Sequence, residues 1–157
     1  MRRRSKITLT DSEQRELLED SQTVVVSTLG PRGWPHSMPL WYVPRDGVVW
    51  IYTYGKSQKV VNLERDPRAT LVVETGAEYQ ELRGVMIEAK AAVHRDFETV
   101  LELAKELTVR MGGPDPSLSP DGKHAGVLEA QARKRVAIEF APERTASWDH
   151  RKLGGTY

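Results

Sequence analysis

The chain has no cysteine among its 157 residues, which excludes disulfides, thiolate metal sites and cysteine nucleophiles and is compatible with a reducing compartment. It also has almost no net charge. With 23 Lys and Arg against 22 Asp and Glu, the formal balance is +1, so no global basic field draws in nucleic acid and anion recognition falls to local clusters. No uninterrupted apolar stretch approaches a membrane span, and the basic start at Arg2, Arg3, Arg4 and Lys6 has no apolar signal core behind it. A soluble cytoplasmic protein is expected. There is no Gly-x-Ser-x-Gly elbow, no Walker loop and no Gly-x-Gly-x-x-Gly, which removes the best support for hydrolase and nucleoside triphosphatase readings. The four histidines, His36, His94, His124 and His150, are scattered with no metal-ligand spacing, so no metal site is expected.

What is present suits one compact domain over residues 1–157, since 39% of the chain is hydrophobic. Thr10 and Glu13 form a capping box that predicts a helix over about 11–20. β-branched residues over 23–29, the turn chemistry of Gly30-Pro31-Arg32-Gly33, and a return over 35–43 predict a hairpin. Asp46-Gly47 turns the chain into a third strand over 48–54, and a short helix follows that ends at Asp66-Pro67. Further strands are expected over 69–74 and 84–93. Asp96 then caps a helix whose apolar spacing runs from Phe97 to Met111. Residues 114–125 read as a polar loop, and 135–141 and 145–149 as two closing strands. Six or seven strands joined by turns too short for crossovers favour a mainly β (α+β) antiparallel barrel with short flanking helices over a doubly wound sheet.

The stretch between Gly33 and Lys59 concentrates the chemistry. The strand carrying Ile51, Tyr52, Thr53 and Tyr54 delivers its end to Lys56-Ser57-Gln58-Lys59, where Ser57 occupies an N-cap position and two ammonium groups reinforce the helix dipole. Two readings stand: a phosphate-bearing ligand at the helix start, or a capped surface helix with solvated lysines. The partner strand reads Pro35, His36, Ser37, Met38, Pro39, Leu40. Two prolines two residues apart disfavour a central strand and leave backbone groups free for a ligand edge. His36 is a candidate proton donor or ring contact, or else a half-exposed strand histidine.

Tyr52-Thr53, then Ser57-Gln58-Lys59, then Asp66-Pro67-Arg68 resembles the flavin-binding core of the pyridoxamine-phosphate oxidase-like split-barrel superfamily, over about 23–93. The resemblance implies a six- to seven-stranded antiparallel split β-barrel and a homodimer with the cofactor groove between subunits. Flavin mononucleotide (FMN) members of that superfamily usually place an arginine between the serine and the lysine, where this chain has Gln58. Losing a bidentate phosphate ligand is not conservative. With Pro35-His36-Ser37 and Asn62-Leu63, the pattern looks more like the branch that uses coenzyme F420, a deazaflavin whose phosphate is an internal diester. A diester carries one charge and can be held by a lysine, a hydroxyl and helix amides, whereas a monoester rewards an arginine fork.

Residue by residue, the resemblance assigns Ser57 and Lys59 to the phosphate, Thr53 to the ring-side backbone, and His36, Ser37, Met38, Pro39 and Leu40 to the ring edge. Ile51, Tyr52 and Lys56 complete the cofactor set. Lys56, Arg32, Arg151, Lys152 and the arm from Arg2 to Lys6 are candidates for the acidic cofactor tail. Trp148 resembles a family position that covers the ring or lines the substrate pocket, and it reads equally as an interface tryptophan. The expected reaction is hydride transfer between reduced deazaflavin and a planar apolar small molecule lined by Trp34, Met38, Trp41 and Tyr79, with water, His36 or Tyr42 as proton donor. The alternatives are an FMN enzyme in which Arg65 or Arg68 replaces the missing fork, a non-enzymatic cofactor carrier or haem-binding split barrel, and a structural dimer that has lost its cofactor.

Overall fold

A computed structural model describes residues 3–118 and 122–154. A four-residue α1 (Arg3–Lys6) precedes α2 (Asp11–Asp20), β1 (Thr23–Leu29), β2 (Pro35–Trp41), β3 (Val43–Arg45) and β4 (Val48–Tyr54). Then come α3 (Gln58–Arg65), β5 (Arg68–Thr75), β6 (Arg83–His94), α4 (Phe97–Arg110), α5 (Lys123–Ala132) and β7 (Arg135–Asp149). The capping box of α2 forms as expected: Glu13 N donates to Thr10 Oγ1 at 3.2 Å, and Thr10 N donates to Glu13 Oε2 at 2.7 Å. Among the described residues no helix is long and apolar enough to cross a membrane.

All seven strands form one antiparallel sheet in the order β2-β1-β5-β6-β7-β4-β3. The two ends of that order are consecutive in sequence. β2 pairs with β1, its continuation β3 pairs with β4, and only Tyr42 separates them, so one bent strand closes the sheet into a barrel. The turn into β4 places Asp46 and Gly47 at φ 51° and 80°, the paired left-handed geometry that suits a two-residue hairpin. Alternation then fills the interior: Val24 and Val26, Leu71 and Val73, Val85 and Ile87, Val49 and Ile51, and Ile138 and Phe140 all bury inward from successive strands. On the outside, α4 and α5 cover β4 and β7 through Val100, Leu103, Ala132 and Ala137.

Three boundaries differ from expectation. The strand expected over 35–43 divides at Tyr42, because closing the barrel requires the chain to leave β1 and join β4 there. The two closing strands are one, β7, whose pairing slips at a bulge between Glu88 and Ala89: Pro142 faces Ala89 and Arg144 faces Glu88. Pro142 falls in the gap between the two expected strands, and a bulge is where a ladder tolerates its missing N–H. The expected loop over 114–125 is shorter, since α5 begins at Lys123; residues 119–121 lie outside the described residues. Polar composition and Gly126 in the helix interior masked it.

Candidate functional site

The closure at Tyr42 is incomplete. Only Val48, Val49 and Trp50 of β4 pair with β3, while residues 51–54 pair on one side with β7 alone, and β2 pairs on one side with β1 alone. Extending the β3–β4 register through Tyr42 sets Trp41 opposite Tyr52 and Pro39 opposite Tyr54. Two free backbone edges therefore face each other across a split, and the prolines of β2 stand on an edge strand as their chemistry requires.

Beside the split, β4 runs through Gly55 into α3. Ser57 is the N-cap residue, with φ −70° and ψ 154°, yet its hydroxyl makes no capping bond; Ser57 Oγ is buried and has no partner. The Val60 and Val61 amides bond the Ser57 carbonyl at 3.0 and 3.2 Å, and the amides of Gln58 and Lys59, which open α3, have no intrahelical acceptor. Two residues on, Lys59 is only 8% exposed, and its ammonium donates to Thr53 Oγ1 at 3.1 Å. No carboxylate among the described residues pairs with it, and burial pulls its pKa below the ordinary lysine value. Within three residues of the helix start the chain thus carries a buried ammonium and an orphan hydroxyl, and no carboxylate among the described residues pairs with the ammonium.

Gln58 takes no part in that cluster. Its Nε2 donates to Asn62 Oδ1 at 2.8 Å, and the fully buried Asn62 donates to Thr28 Oγ1 at 3.0 Å, tying α3 to β1. The two arginines that could replace a missing fork are also engaged elsewhere. Arg65 donates to the Leu29 carbonyl, and Arg68 bonds Asp66 at 2.7 and 3.0 Å.

The other predicted site residues separate by face. Register puts His36, Met38 and Leu40 on the inward side with Thr28, Val26 and Val24, and Ser37, Pro39 and Trp41 on the outward side. His36 is half-buried with Nδ1 unpartnered. Ser37 Oγ bonds Ser27 Oγ at 2.8 Å on the outer face. Ile51 has a fully buried side chain, which leaves only its backbone for a ligand. Thr53 points inward to Lys59, whereas Tyr52, one residue earlier, points outward beneath α4 and α5. Lys56 is exposed. Trp148 does not meet this cluster within the chain: it pairs with Gly84 and lies over it, whereas Thr53 pairs with Val136, far back along β7.

Several expectations are corrected. Tyr42 cannot serve as the proton donor: it is fully buried in the core, its hydroxyl donates to the Leu18 carbonyl at 2.6 Å, and desolvation pushes its pKa up to about 12. Tyr79 does not join Trp34, Met38 and Trp41; it lies between β5 and β6, against His150 at 4.7 Å. Arg151 is bound to Asp149 at 2.6 and 2.8 Å and Lys152 to Glu13 at 2.6 Å, which withdraws both from the list of free tail cations. Arg2 lies outside the described residues. One residue escaped the sequence reading. Arg135, at the start of β7, pairs in register with Tyr54 and stacks on Tyr52 at 4.9 Å from the ring centroid; a cation opening the strand beside β4 was its only signal.

A split antiparallel barrel with a lysine-bearing helix start beside its open edges is the architecture of the pyridoxamine-phosphate oxidase-like split barrels. Within it, the profile of the pyridoxamine 5'-phosphate oxidase family matches residues 10–149, and the chain belongs to that family. In structure it is similar to the conserved hypothetical protein Rv2991 from Mycobacterium tuberculosis, at 35% identity and a TM-score of 0.87 over 100% of this chain and 95% of that one. An F420 reductase shares the fold at 21% identity and a TM-score of 0.65, over 84% of this chain and 94% of that one. The haem storage protein HutZ from Vibrio cholerae does so at 14% identity and a TM-score of 0.65, over 87% and 94%. No curated protein matches the chain in sequence.

Proposed function

We propose that the chain is a coenzyme F420-dependent oxidoreductase that works as a homodimer. The observation that carries this reading is the buried Lys59 ammonium, partnered among the described residues only by a neutral hydroxyl and two residues along the chain from the orphan Ser57 Oγ. One cation, one hydroxyl and helix amides suit a singly charged phosphodiester. The engagement of Gln58, Arg65 and Arg68 in the α3–β1 and Asp66 contacts leaves no fork for a dianionic monoester, which counts against FMN. When bound, the deazaflavin supplies or accepts the hydride. The chain's own part is to hold the phosphate at Ser57 and Lys59, to offer the free backbone edges at 51–54 and 35–41 to the ring rim, and to present His36 as a proton donor. Exposed Lys56 and Arg32 remain for the acidic tail.

The outer face of the sheet supports the homodimer. Pro39, Val25, Val72, Met86 and Ala146 stand side by side in one apolar row across five strands. Trp148 shares that outer face, so pairing two copies through it gives the tryptophan a route to a cofactor that it lacks within one chain.

Titrating the purified protein with F420 and with FMN, followed by fluorescence, tests the cofactor. Tight F420 binding with FMN at least tenfold weaker is expected, and tight FMN uptake with no F420 binding would overturn the reading. Turnover of reduced F420 against a panel of quinones and tetrapyrroles separates an enzyme from a carrier.

A further inference from the structure

Outside the split lies a groove of about 560 Å³, lined by Pro39, Leu40 and Trp41 of β2, Tyr52 of β4, Leu107 and Gln131 from the covering helices, and Thr23 and Arg135. Its charge is one-sided. Arg135 is the one ionisable group of strong charge in the lining, and no acidic residue stands there. Arg135 is half-buried, and its guanidinium lies over the Tyr52 ring with no hydrogen bond or ion pair to any described residue, whereas Arg45 is committed to Glu106, Arg95 to Glu64 and Arg110 to the end of α2. A planar cation fixed over an aromatic ring is pre-oriented for a carboxylate. Trp41, 58% exposed, supplies a flat apolar wall next to it.

The geometry points to an oxyanion-reading subsite distinct from the Ser57–Lys59 cluster, in which Arg135, positioned by Tyr52, binds the carboxylate of a planar apolar ligand that lies against Trp41 and Leu107. The two cations cannot serve one oxyanion as built, because Thr53 and Tyr52 project to opposite faces of β4 and carry Lys59 and Arg135 with them. The ligand chemistry is that of an aromatic or polyunsaturated carboxylic acid. Calling that ligand the hydride acceptor rests on the oxidoreductase reading; the carboxylate preference does not.

Isothermal titration of the full chain with 2-naphthoate and with its neutral counterpart 2-naphthamide, at neutral pH, isolates the charge without any substitution. Naphthoate is expected to bind at least tenfold more tightly. Arg135→Gln should abolish that preference while leaving naphthamide affinity and the thermal midpoint in place, and Arg135→Lys should retain only part of it. Equal affinity of the wild type for the two probes overturns the proposal, as does no detectable naphthoate binding at millimolar concentration or a preference that survives in Arg135→Gln. Competition between F420 and naphthoate for one site also overturns it, because the groove is then the cofactor's. A wild type that prefers naphthoate but binds no F420 upholds the subsite and sinks the cofactor assignment instead.

Discussion

Lys59→Met separates a binding lysine from a structural one, because the two roles move stability and affinity differently. In the free protein Lys59 is 8% exposed and its ammonium is bonded to one neutral hydroxyl, so its desolvation is poorly offset. Methionine keeps the apolar stem, gives up one hydrogen bond worth about 1 kcal/mol net, and removes a buried charge that has no counter-ion. The free variant should therefore lie within about 1 kcal/mol of wild type, or above it, in urea unfolding. Affinity should behave otherwise: loss of a charge-assisted phosphate contact costs roughly 1.5–3 kcal/mol, a weakening of F420 binding by about 10- to 150-fold. The pH dependence adds a third readout. Burial lowers the folded pKa of Lys59 below its ordinary 10.5, so in that window the unfolded chain binds more protons and wild-type stability gains from this group as pH rises. The difference between wild type and Lys59→Met should grow in favour of wild type across that alkaline window. An F420 affinity within twofold of wild type, or a loss above about 3 kcal/mol in the free protein, would refute the reasoning and make Lys59 a core residue.

The other predictions address the frame around the site. Tyr42→Phe removes the buried bond to the Leu18 carbonyl and should cost about 1–1.5 kcal/mol in urea unfolding with turnover unchanged; a fall in turnover would restore Tyr42 to the chemistry. Glu13 accepts from Lys152 and from the Thr10 amide, which hold its pKa at about 2 against an ordinary 4.5. Its folded value is depressed, so its stabilisation is present above pH 4.5 and lost as pH falls towards about 2, and Glu13→Gln should flatten the acid limb of the stability curve over that window. At Gly84 a Cβ would meet Trp148 Cζ2 at 2.3 Å, so Gly84→Ala must displace the ring. A shifted tryptophan emission and a loss of about 1–3 kcal/mol are expected; an unchanged spectrum with unchanged stability would show that the Trp148 ring is not held over Gly84.

The elements that were legible in the sequence are those with local signals. The capping box at Thr10 and Glu13, the Asp46-Gly47 turn and the alternation of β1, β4 and β5 each carry their own physical cause within a few residues. Barrel closure at Tyr42 was not legible, because its cause is non-local: only the pairing of β3 with β4 decides where β2 stops. The continuity of β7 was hidden for a related reason, since Pro142 breaks a strand unless its partner supplies a bulge. In the site, Ser57 and Lys59 stand out as a helix start, but the spacing carries no sign that Gln58 turns to Asn62 or that Arg65 and Arg68 are occupied. Asn62 lies one turn on in α3, Asp66 in the α3–β5 turn and Leu29 in β1, so only the Arg65 partner is remote, and a cation's availability depends on its surroundings.

The same non-locality explains why a recognisable motif captured one half of this region and passed over the other. Tyr52-Thr53 reads as a single unit, yet strand alternation sends its members to opposite faces of β4. Thr53 meets Lys59, six residues ahead, so that pairing is visible as a short motif. Tyr52 meets Arg135, which only the β4–β7 register brings near, and no window of sequence contains both. If each cation serves its own anion, exchanging their surroundings should not exchange their ligands: Arg135→Gln should leave F420 affinity within twofold, and Lys59→Met should leave the naphthoate preference intact. Loss of both ligands in either variant would mean one continuous site, and the division drawn by alternation on β4 would then be wrong.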